Sequence, residues 1–176
     1  KDKFIVKDAV TADKVAWKAG NQPFSVEQFS VLWQRAEAYL DDCAFVSNFQ
    51  VGADVDGGVN VVAKTEKAWH HLFLQHLFIS DNKCNIPAEK TWTLMSAPGL
   101  LLDPETDGVN SEAAVILNLS EKKVLIVGMR YAGEMKKAMF SVLNFVLPDQ
   151  DVLPMHCSAN VGEDGDVALF FGLSGT

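Results

Sequence analysis

Three stretches of the chain carry apolar residues at the three- and four-residue spacing of an amphipathic helix. The first covers residues 25–40, where Ser25 and Gln28 stand at the positions of a capping box. Its apolar positions are Phe29, Leu32, Trp33, Ala36 and Leu40. Because this spacing places all five side chains on one face, we expect a helix over residues 25–40 that packs against a core.

Two further helices are predicted over residues 66–78 and 133–146. The apolar surface of residues 66–78 is too broad for a helix that faces solvent, so this helix is expected to pack inside. In residues 133–146 one side is apolar, with Met135 and Met139 at its centre, and Pro148 ends the pattern.

Short apolar runs between these helices are typical of strands. Residues 44–49 and 59–63 are separated by a glycine-rich turn and are expected to be neighbours in a sheet. The other predicted strands cover residues 4–6, 91–97, 113–119, 124–127, 152–156 and 167–171. Strands interspersed with three helices predict an α/β fold, with a mixed β-sheet flanked by helices, in a single domain over residues 1–176.

Composition limits the possible partners and the cellular location. The chain has 176 residues, of which 48% are hydrophobic. It contains 15 Lys and Arg residues and 23 Asp and Glu residues, which give a net charge of -8. This charge argues against general binding to nucleic acid or to anionic membranes, and the apolar runs are too short to span a bilayer. The three widely spaced cysteines indicate reduced thiols and a cytoplasmic protein. The chain opens at Lys1 without a methionine or a secretory segment, so we expect the parent protein to begin earlier.

The sequence ends on half of a phosphate-binding loop. A P-loop has a glycine, four residues, and then glycine, lysine and serine or threonine, and residues 172–176 supply the first glycine and the four residues after it. The lysine is absent from this sequence. An ordinary glycine turn is the alternative interpretation of these residues.

Two groups of polar residues are candidates for chemistry. Lys136 and Lys137 are adjacent on a predicted helix and point about 100° apart, so either both decorate its surface or one turns towards a cleft. His156 follows a predicted strand, where it could line a cleft or be a core histidine with a backbone partner. Cys157 is expected to be buried packing.

The remaining histidines and cysteines do not indicate a metal site. His70, His71 and His76 lack the three- or four-residue separation that places two ligands on one helical face, so we interpret them as structural. Cys43 and Cys84 have no second cysteine at the spacing of a zinc site.

Several motifs together resemble those of ATP-dependent phosphoenolpyruvate carboxykinases. The most specific are YAGEMKK at 131–137, PMHCSANVG at 154–162, GDVA at 165–168 and FFGLSGT at 170–176. KDKF at 1–4, EKAWH at 66–70 and DGVNSE at 107–112 occur in the same order as in that family. The resemblance covers the whole chain, and it is loose over residues 8–62 and 80–106.

The resemblance implies a decarboxylase of gluconeogenesis. Members of the family convert oxaloacetate and ATP into phosphoenolpyruvate, ADP and carbon dioxide in a cleft between two domains. They use manganese at a protein site and magnesium with the nucleotide. The chain would then be most of the amino-terminal, substrate-binding domain, with residues 172–176 beginning the P-loop of the nucleotide-binding domain.

The resemblance also implies roles for individual residues. Lys137, as an uncharged amine, and His156 would be the manganese ligands, and Tyr131 would hold the carboxylate or carbon dioxide end of the substrate. Ser174 would lie near the substrate. The backbone amides of the loop would hold the phosphates of ATP, through Gly172, Leu173, Ser174, Gly175 and Thr176.

The 176 residues alone are expected to be inactive and to bind ATP poorly, because the P-loop lysine, the metal-binding aspartate and further arginines of the family are absent from them. Two alternatives remain open: a non-catalytic binding or scaffold protein derived from this domain, and another P-loop kinase of small molecules. The use of ATP rather than GTP rests on the resemblance, and the sequence indicates no oligomeric state.

Overall fold

A computed structural model describes residues 2–53, 56–80 and 85–172, and it has the α/β fold predicted from the sequence. The strands of the main sheet are β1 (Lys3–Val6), β2 (Gln22–Phe24), β3 (Phe45–Val51), β4 (Val59–Thr65), β5 (Ile79–Ser80), β6 (Thr91–Ala97), β7 (Ala114–Asn118) and β8 (Lys123–Val127). The helices are α1 (Val26–Leu40), α2 (Ala68–Leu77) and α3 (Gly133–Val146). A hairpin of β9 (Ser158–Val161) and β10 (Val167–Phe170) forms a separate sheet. In the part of the chain that the structure describes, no helix is long and apolar enough to cross a bilayer.

The main sheet is mixed, as the strand pattern predicted. Its order is β2-β1-β7-β8-β6-β4-β3-β5. Strands β4, β6 and β8 run parallel, β7 is antiparallel to β8, and β1 is parallel to β7. Strands β3 and β4 are antiparallel neighbours, which confirms their predicted pairing. The carboxyl ends of β4, β6 and β8 therefore lie along one side of the sheet, which we call the carboxyl edge.

Each face of the sheet carries its own hydrophobic core. On one face α1 buries the five apolar side chains predicted for it, and its amino terminus is capped because Gln28 N donates to Ser25 Oγ at 3.1 Å. On the other face α2 and α3 cover the sheet, with Met135 and Met139 almost fully buried. The predicted bounds of α3 are confirmed at both ends.

Helix α2 departs from its prediction. Its inner face is buried through His70, His71 and Leu74, but Trp69 and Leu72 are 54% and 53% exposed. Only one side of this ten-residue helix contacts the sheet, so the broad apolar surface that favoured full burial lies partly in solvent. The expectation that this helix packs inside is therefore wrong for its outer face.

The strand predicted over residues 152–156 is also absent. After a short turn at Pro148–Gln150 the chain continues without regular structure, and Val152 N donates to Leu147 O at 3.1 Å, which completes the end of α3. Pro154 has no N–H for a ladder. The strand begins only at Ser158. The apolar composition of residues 152–155 suggested a strand, but no neighbouring strand covers these residues, and Leu153 is 74% exposed.

The long loop after β6 is fixed to α1 by an ion pair. The guanidinium of Arg35 donates to both carboxylate oxygens of Asp107, at 3.0 and 2.6 Å, and Asp103 N donates to the same carboxylate at 2.8 Å. The hydrogen bonds from Arg35 hold the pKa of Asp107 below its usual value, against the opposing effect of burial. This anchor holds the loop that leads from the carboxyl edge to β7.

Candidate functional site

The loops that follow β4 and β6 are joined at the carboxyl edge by a carboxylate. Glu66, just after β4, accepts a hydrogen bond of 2.6 Å from Gly99 N, just after β6, and also binds the ammonium of Lys67. Burial alone would raise the pKa of Glu66, but these hydrogen bonds hold it below its usual value. In open α/β sheets ligands bind at this edge, outside the carboxyl ends of the parallel strands.

The turn after β8 leaves no room for a side chain. Gly128 has φ +68°, and a Cβ there would lie 2.5 Å from the carbonyl oxygen of Glu112 and 2.8 Å from Cα of Ala113. Glycine is required both by the left-handed backbone and by this close approach. The turn sends the chain over the carboxyl edge into Tyr131 and the start of α3.

Tyr131 and Lys137 lie together at the amino-terminal half of α3. The Nζ of Lys137 is 5.3 Å from the ring centroid of Tyr131 and 3.6 Å from Oε1 of Glu134. Tyr131 is 64% exposed, so its hydroxyl is accessible to a ligand. The structure thus brings together two of the residues that the sequence analysis selected.

Lys3 reaches the same side of α3. Strand β1 begins at the carboxyl edge, and the ammonium of Lys3 donates to Ser141 Oγ on α3. Burial lowers the pKa of Lys3; the nearby carboxylate of Glu134 opposes this shift, and the positive charge of Lys137 adds to it. The sequence analysis missed this residue as a single side chain, although its motif KDKF was part of the resemblance.

His156 packs against α3, but next to the other lysine. Its Nε2 lies 3.1 Å from Nζ of Lys136, and its ring meets that of Phe140 edge-on at 5.7 Å. Among the contacts of the described residues, His156 pairs with Lys136, and Lys137 pairs with Glu134 and Tyr131. The structure does not place the two predicted metal ligands in contact. His156 precedes strand β9, so the expectation that it follows a strand is wrong.

The donor set offered by these residues is small. An imidazole and an uncharged lysine amine are both nitrogen ligands that a first-row divalent ion accepts. In the described ranges, no cluster of three or more His, Cys, Asp or Glu side chains could hold a metal ion. The pair fits a metal only as part of a site whose other ligands come from substrate, water or further residues.

Arg130 is a further residue that the sequence analysis did not select. It lines a cavity of about 280 Å³ at the carboxyl edge, with Lys67, Trp69 and Gly99. Its backbone carbonyl oxygen lies 3.0 Å from His70 Nε2. Its guanidinium forms no ion pair with any of the described residues. Its position in the sequence could have indicated a functional residue, because it follows a predicted strand by three residues and directly precedes Tyr131.

The other polar residues of the sequence analysis are placed as follows. The ring nitrogens of His71 lie 2.8 Å from Ser47 Oγ and 3.2 Å from Thr65 Oγ1, as expected of a structural histidine. Cys157 is half-buried and Cys43 is exposed, and both are free thiols. Gly172 follows β10 and is exposed. Four residues of the predicted phosphate loop lie outside the described residues, namely Leu173, Ser174, Gly175 and Thr176.

Comparison with known proteins gives one consistent family. Residues 1–176 match the sequence profile of a family described as phosphoenolpyruvate carboxykinase. A protein of Bacillus mycoides named phosphoenolpyruvate carboxykinase (ATP) is 50% identical over 179 residues, and one of the same name from Bacillus cereus (strain AH187) is 51% identical over 179 residues. Each alignment covers 100% of this chain and 34% of the relative. The chain thus spans about a third of the length of the curated relatives it matches.

Proposed function

Because this chain belongs to the phosphoenolpyruvate carboxykinase family, we propose that it supplies the substrate-binding side of an active site that converts oxaloacetate and ATP into phosphoenolpyruvate, carbon dioxide and ADP. The observation that carries the proposal is the grouping of Tyr131, Lys137 and Lys3 on one side of α3, at the carboxyl edge. The activity belongs to a protein of the relatives' length, in which residues 1–176 form the amino-terminal domain and residues 172–176 open the P-loop.

The positive side chains suit a substrate with two carboxylates. Before a metal binds, Lys3 and Lys137 flank a single carboxylate, Glu134, so this side of α3 carries a positive surplus that attracts the oxaloacetate dianion. With a divalent ion held by the uncharged amine of Lys137, the ion would supply the positive charge instead. The exposed hydroxyl of Tyr131 donates to the carboxylate that leaves as carbon dioxide and orients it for loss. Arg130, on the cavity beside Tyr131, adds a guanidinium to the same edge.

Lys137 and His156 would hold the divalent ion, manganese in this proposal, with magnesium bound to ATP. An ion held there stabilises the negative oxygen of the enolate that decarboxylation produces. The lysine must be an uncharged amine to serve as a ligand, because the lone pair of its nitrogen forms the bond to the metal. The side chain that meets His156 is Lys136, so binding of one ion by His156 and Lys137 together requires a different placement of His156.

The phosphate loop is the remaining part of the proposal. Backbone amides of residues 172–176 would hold the phosphates of ATP, with Ser174 next to the substrate. The enolate oxygen would then attack the γ-phosphorus of ATP. The bond between the γ-phosphorus and the oxygen that bridges it to the β-phosphorus breaks, and ADP leaves. The three cysteines, of which Cys43 and Cys157 are free thiols, support a cytoplasmic location.

The test is a comparison of two adjacent lysines in a protein of the relatives' length. Lys137→Gln is expected to lower kcat for phosphoenolpyruvate formation by about 100-fold or more, because it removes a metal ligand. Lys64→Gln, in β4 on the face of the sheet that α1 covers, serves as the unaffected control. Lys136→Gln decides which lysine is the ligand, since a larger loss there would assign the role to Lys136.

Other outcomes would change the proposed function. Wild-type kcat in both Lys136→Gln and Lys137→Gln would reject the metal site. ATP consumption with other small molecules, without phosphoenolpyruvate, would indicate a different kinase. A protein of full length that neither consumes oxaloacetate nor binds ATP would be the non-catalytic alternative.

A further inference from the structure

A buried histidine joins helix α2 to the loop that carries Tyr131. His70 is 1% exposed, and its Nε2 lies 3.0 Å from the backbone carbonyl oxygen of Arg130, 60 residues further along the chain. We propose that His70 is a positioning residue, which fixes the place of Tyr131 at the carboxyl edge so that its hydroxyl can orient the substrate. The role of His70 thus rests on the role proposed above for Tyr131.

The two neighbours of the imidazole determine which of its nitrogens carries the hydrogen. A carbonyl oxygen can only accept a hydrogen bond, so Nε2 of His70 is the donor to Arg130. Nδ1 of the neutral ring is then an acceptor, and it lies 3.4 Å from the hydroxyl of Ser96, which can donate to it. Ser96 belongs to β6 and is 0% exposed, so the ring lies between the interior of the sheet and the loop after β8.

The hydrogen bond from His70 acts on Tyr131 through a planar peptide unit. The carbonyl of Arg130 and the N–H of Tyr131 belong to one rigid plane, so a bond to the oxygen also fixes the direction in which the chain enters Tyr131. The next peptide unit is held as well, because Glu134 N donates to Tyr131 O at 3.1 Å. With both planes held, the backbone of Tyr131 has little freedom left.

The side chain of Tyr131 depends on this backbone for its position. It is 64% exposed, so solvent rather than packing surrounds much of it. Its ring lies across Gly133, where a Cβ would come within 2.5 Å of the ring carbon Cζ, and its centroid is 5.3 Å from Nζ of Lys137. A shift of the backbone at Arg130 would therefore move the hydroxyl of Tyr131 relative to Lys137.

The adjacent His71 provides a matched comparison. It is also buried on α2, but its ring nitrogens lie near the hydroxyls of Ser47 and Thr65, on strands β3 and β4. These contacts stabilise the fold and do not involve the loop that carries Tyr131. Substitution of the two histidines therefore separates a loss of stability from a loss of position.

The test compares kcat/KM for oxaloacetate in variants of a protein of the relatives' length. His70→Leu removes the donor, and we expect kcat/KM to fall by about ten-fold, the effect of one lost hydrogen bond, with KM for ATP unchanged. His70→Gln should keep most of the wild-type value, because its amide can still donate to the carbonyl. His71→Leu should keep the wild-type kcat/KM although it lowers the free energy of unfolding, which urea denaturation measures in all three variants.

A double variant shows whether His70 acts through Tyr131. Tyr131→Phe removes the hydroxyl and, under the proposed function, lowers kcat/KM for oxaloacetate. Adding His70→Leu to Tyr131→Phe should then cause little further loss, because the group that His70 positions is already absent.

A second measurement needs no activity. The 176-residue chain has two tyrosines, so incorporation of 3-fluorotyrosine gives two fluorine NMR signals, and the signal lost in Tyr131→Phe is that of Tyr131. His70→Leu should shift this signal, whereas His71→Leu should leave it at its wild-type position.

Four results would each overturn the positioning role: wild-type kcat/KM in His70→Leu, an equal loss in His71→Leu, fully additive losses in the double variant, and an unchanged Tyr131 signal in His70→Leu. Wild-type kcat/KM in Tyr131→Phe would reject the role of Tyr131 in the proposed function, and with it that of His70 in the reaction. A loss in Tyr131→Phe beside wild-type kinetics in His70→Leu would reject the role of His70 alone.

Discussion

The surroundings of His71 disfavour a positive charge on its ring. Its two ring nitrogens face hydroxyl groups, and the rings of Phe45 and Phe49 each lie 5.9 Å from its own ring. Burial lowers the pKa of His71. A proton on this imidazole would place a charge beside two aromatic rings, with no carboxylate among its hydrogen-bond partners to compensate it.

This environment predicts a specific dependence of stability on pH. An unfolded histidine titrates near about 6.5, and the folded pKa of His71 is lower. As the pH falls below about 6.5, the unfolded state takes up a proton that the folded state does not, so the free energy of unfolding decreases until the folded pKa is passed. Urea unfolding of the wild type should show a loss between pH 7.5 and 5.5, and His71→Gln should show a smaller loss.

The exposed His76 provides the control for this measurement. His76→Gln should keep the full wild-type loss of stability, because the side chain of His76 is exposed and its replacement leaves the surroundings of His71 unchanged. An identical loss in His71→Gln and in the wild type would show that another group is responsible.

Among the structural elements, the turn after β8 sets the direction of α3. Because Gly128 has no side chain, the backbone there lies close to the backbone of Ala113. Three residues later, Tyr131 lies at the carboxyl edge. Gly165, in the hairpin turn, has a similar φ of +83°, but a Cβ there would meet nothing within 4 Å. The two glycines therefore share the backbone requirement and differ in the space available.

This difference predicts unequal effects of alanine. Gly165→Ala should cost about 1 kcal/mol, the strain of a left-handed backbone alone. Gly128→Ala adds a collision with the backbone at Glu112 and should cost about 3 kcal/mol or more. Chemical denaturation measures both values, and equal losses would mean that the backbone at Gly128 moves aside without difficulty.

The elements that the sequence predicted well are those whose signal is local. The spacing of Met135 and Met139 with Pro148 beyond them defined α3, because the periodicity and the stop signal lie within one segment. Residues 152–156 were predicted as a strand from their apolar composition. In the structure no strand lies beside them, and composition alone does not show whether a partner strand is present. The apolar outer face of α2 was overestimated as core for the same reason.

The side-chain pairs of the candidate site required the structure. Arg35 and Asp107 are 72 residues apart, and Lys3 and Ser141 are 138 residues apart, so no local pattern relates them. The motifs selected Tyr131 and His156, but whether His156 meets Lys136 or Lys137 depends on the side of α3 along which the chain returns, and no local pattern specifies that path.

At the scale of the whole molecule, the β9–β10 hairpin stands apart from the main sheet. All eight of its strand residues are exposed, and Val161, Val167 and Phe170 are 66%, 62% and 52% exposed. By contrast Leu125 of β8, at the centre of the main sheet, is 0% exposed. The stability of the described structure therefore comes from the main sheet and its helices.

This arrangement predicts that the same substitution acts differently in the two sheets. Leu125→Ala should cost about 2–5 kcal/mol, as for a fully buried leucine. Leu169→Ala in the 176-residue chain should change the free energy of unfolding by less than about 0.5 kcal/mol, because Leu169 is 43% exposed. Both values come from urea denaturation followed by far-UV circular dichroism.

The length of the relatives adds a second part to this prediction. In a protein of their length we expect Leu169→Ala to be costly, because further chain would cover the apolar hairpin. A neutral effect there as well would mean that the hairpin stays in solvent, whereas a large effect in the 176-residue chain would show that it packs on the main sheet.

The position of β1 inside the main sheet has a consequence for how the chain is made. Strand β1 pairs with β2 and with β7, and Lys3 stands opposite Val115. On a ribosome that adds roughly 5–20 residues per second, β1 waits for several seconds until β7 emerges. Over that interval β2 is already made and can pair with β1, but the edge of β1 that pairs with β7 stays open. We therefore expect this half of the sheet to complete its folding only after β7 has emerged.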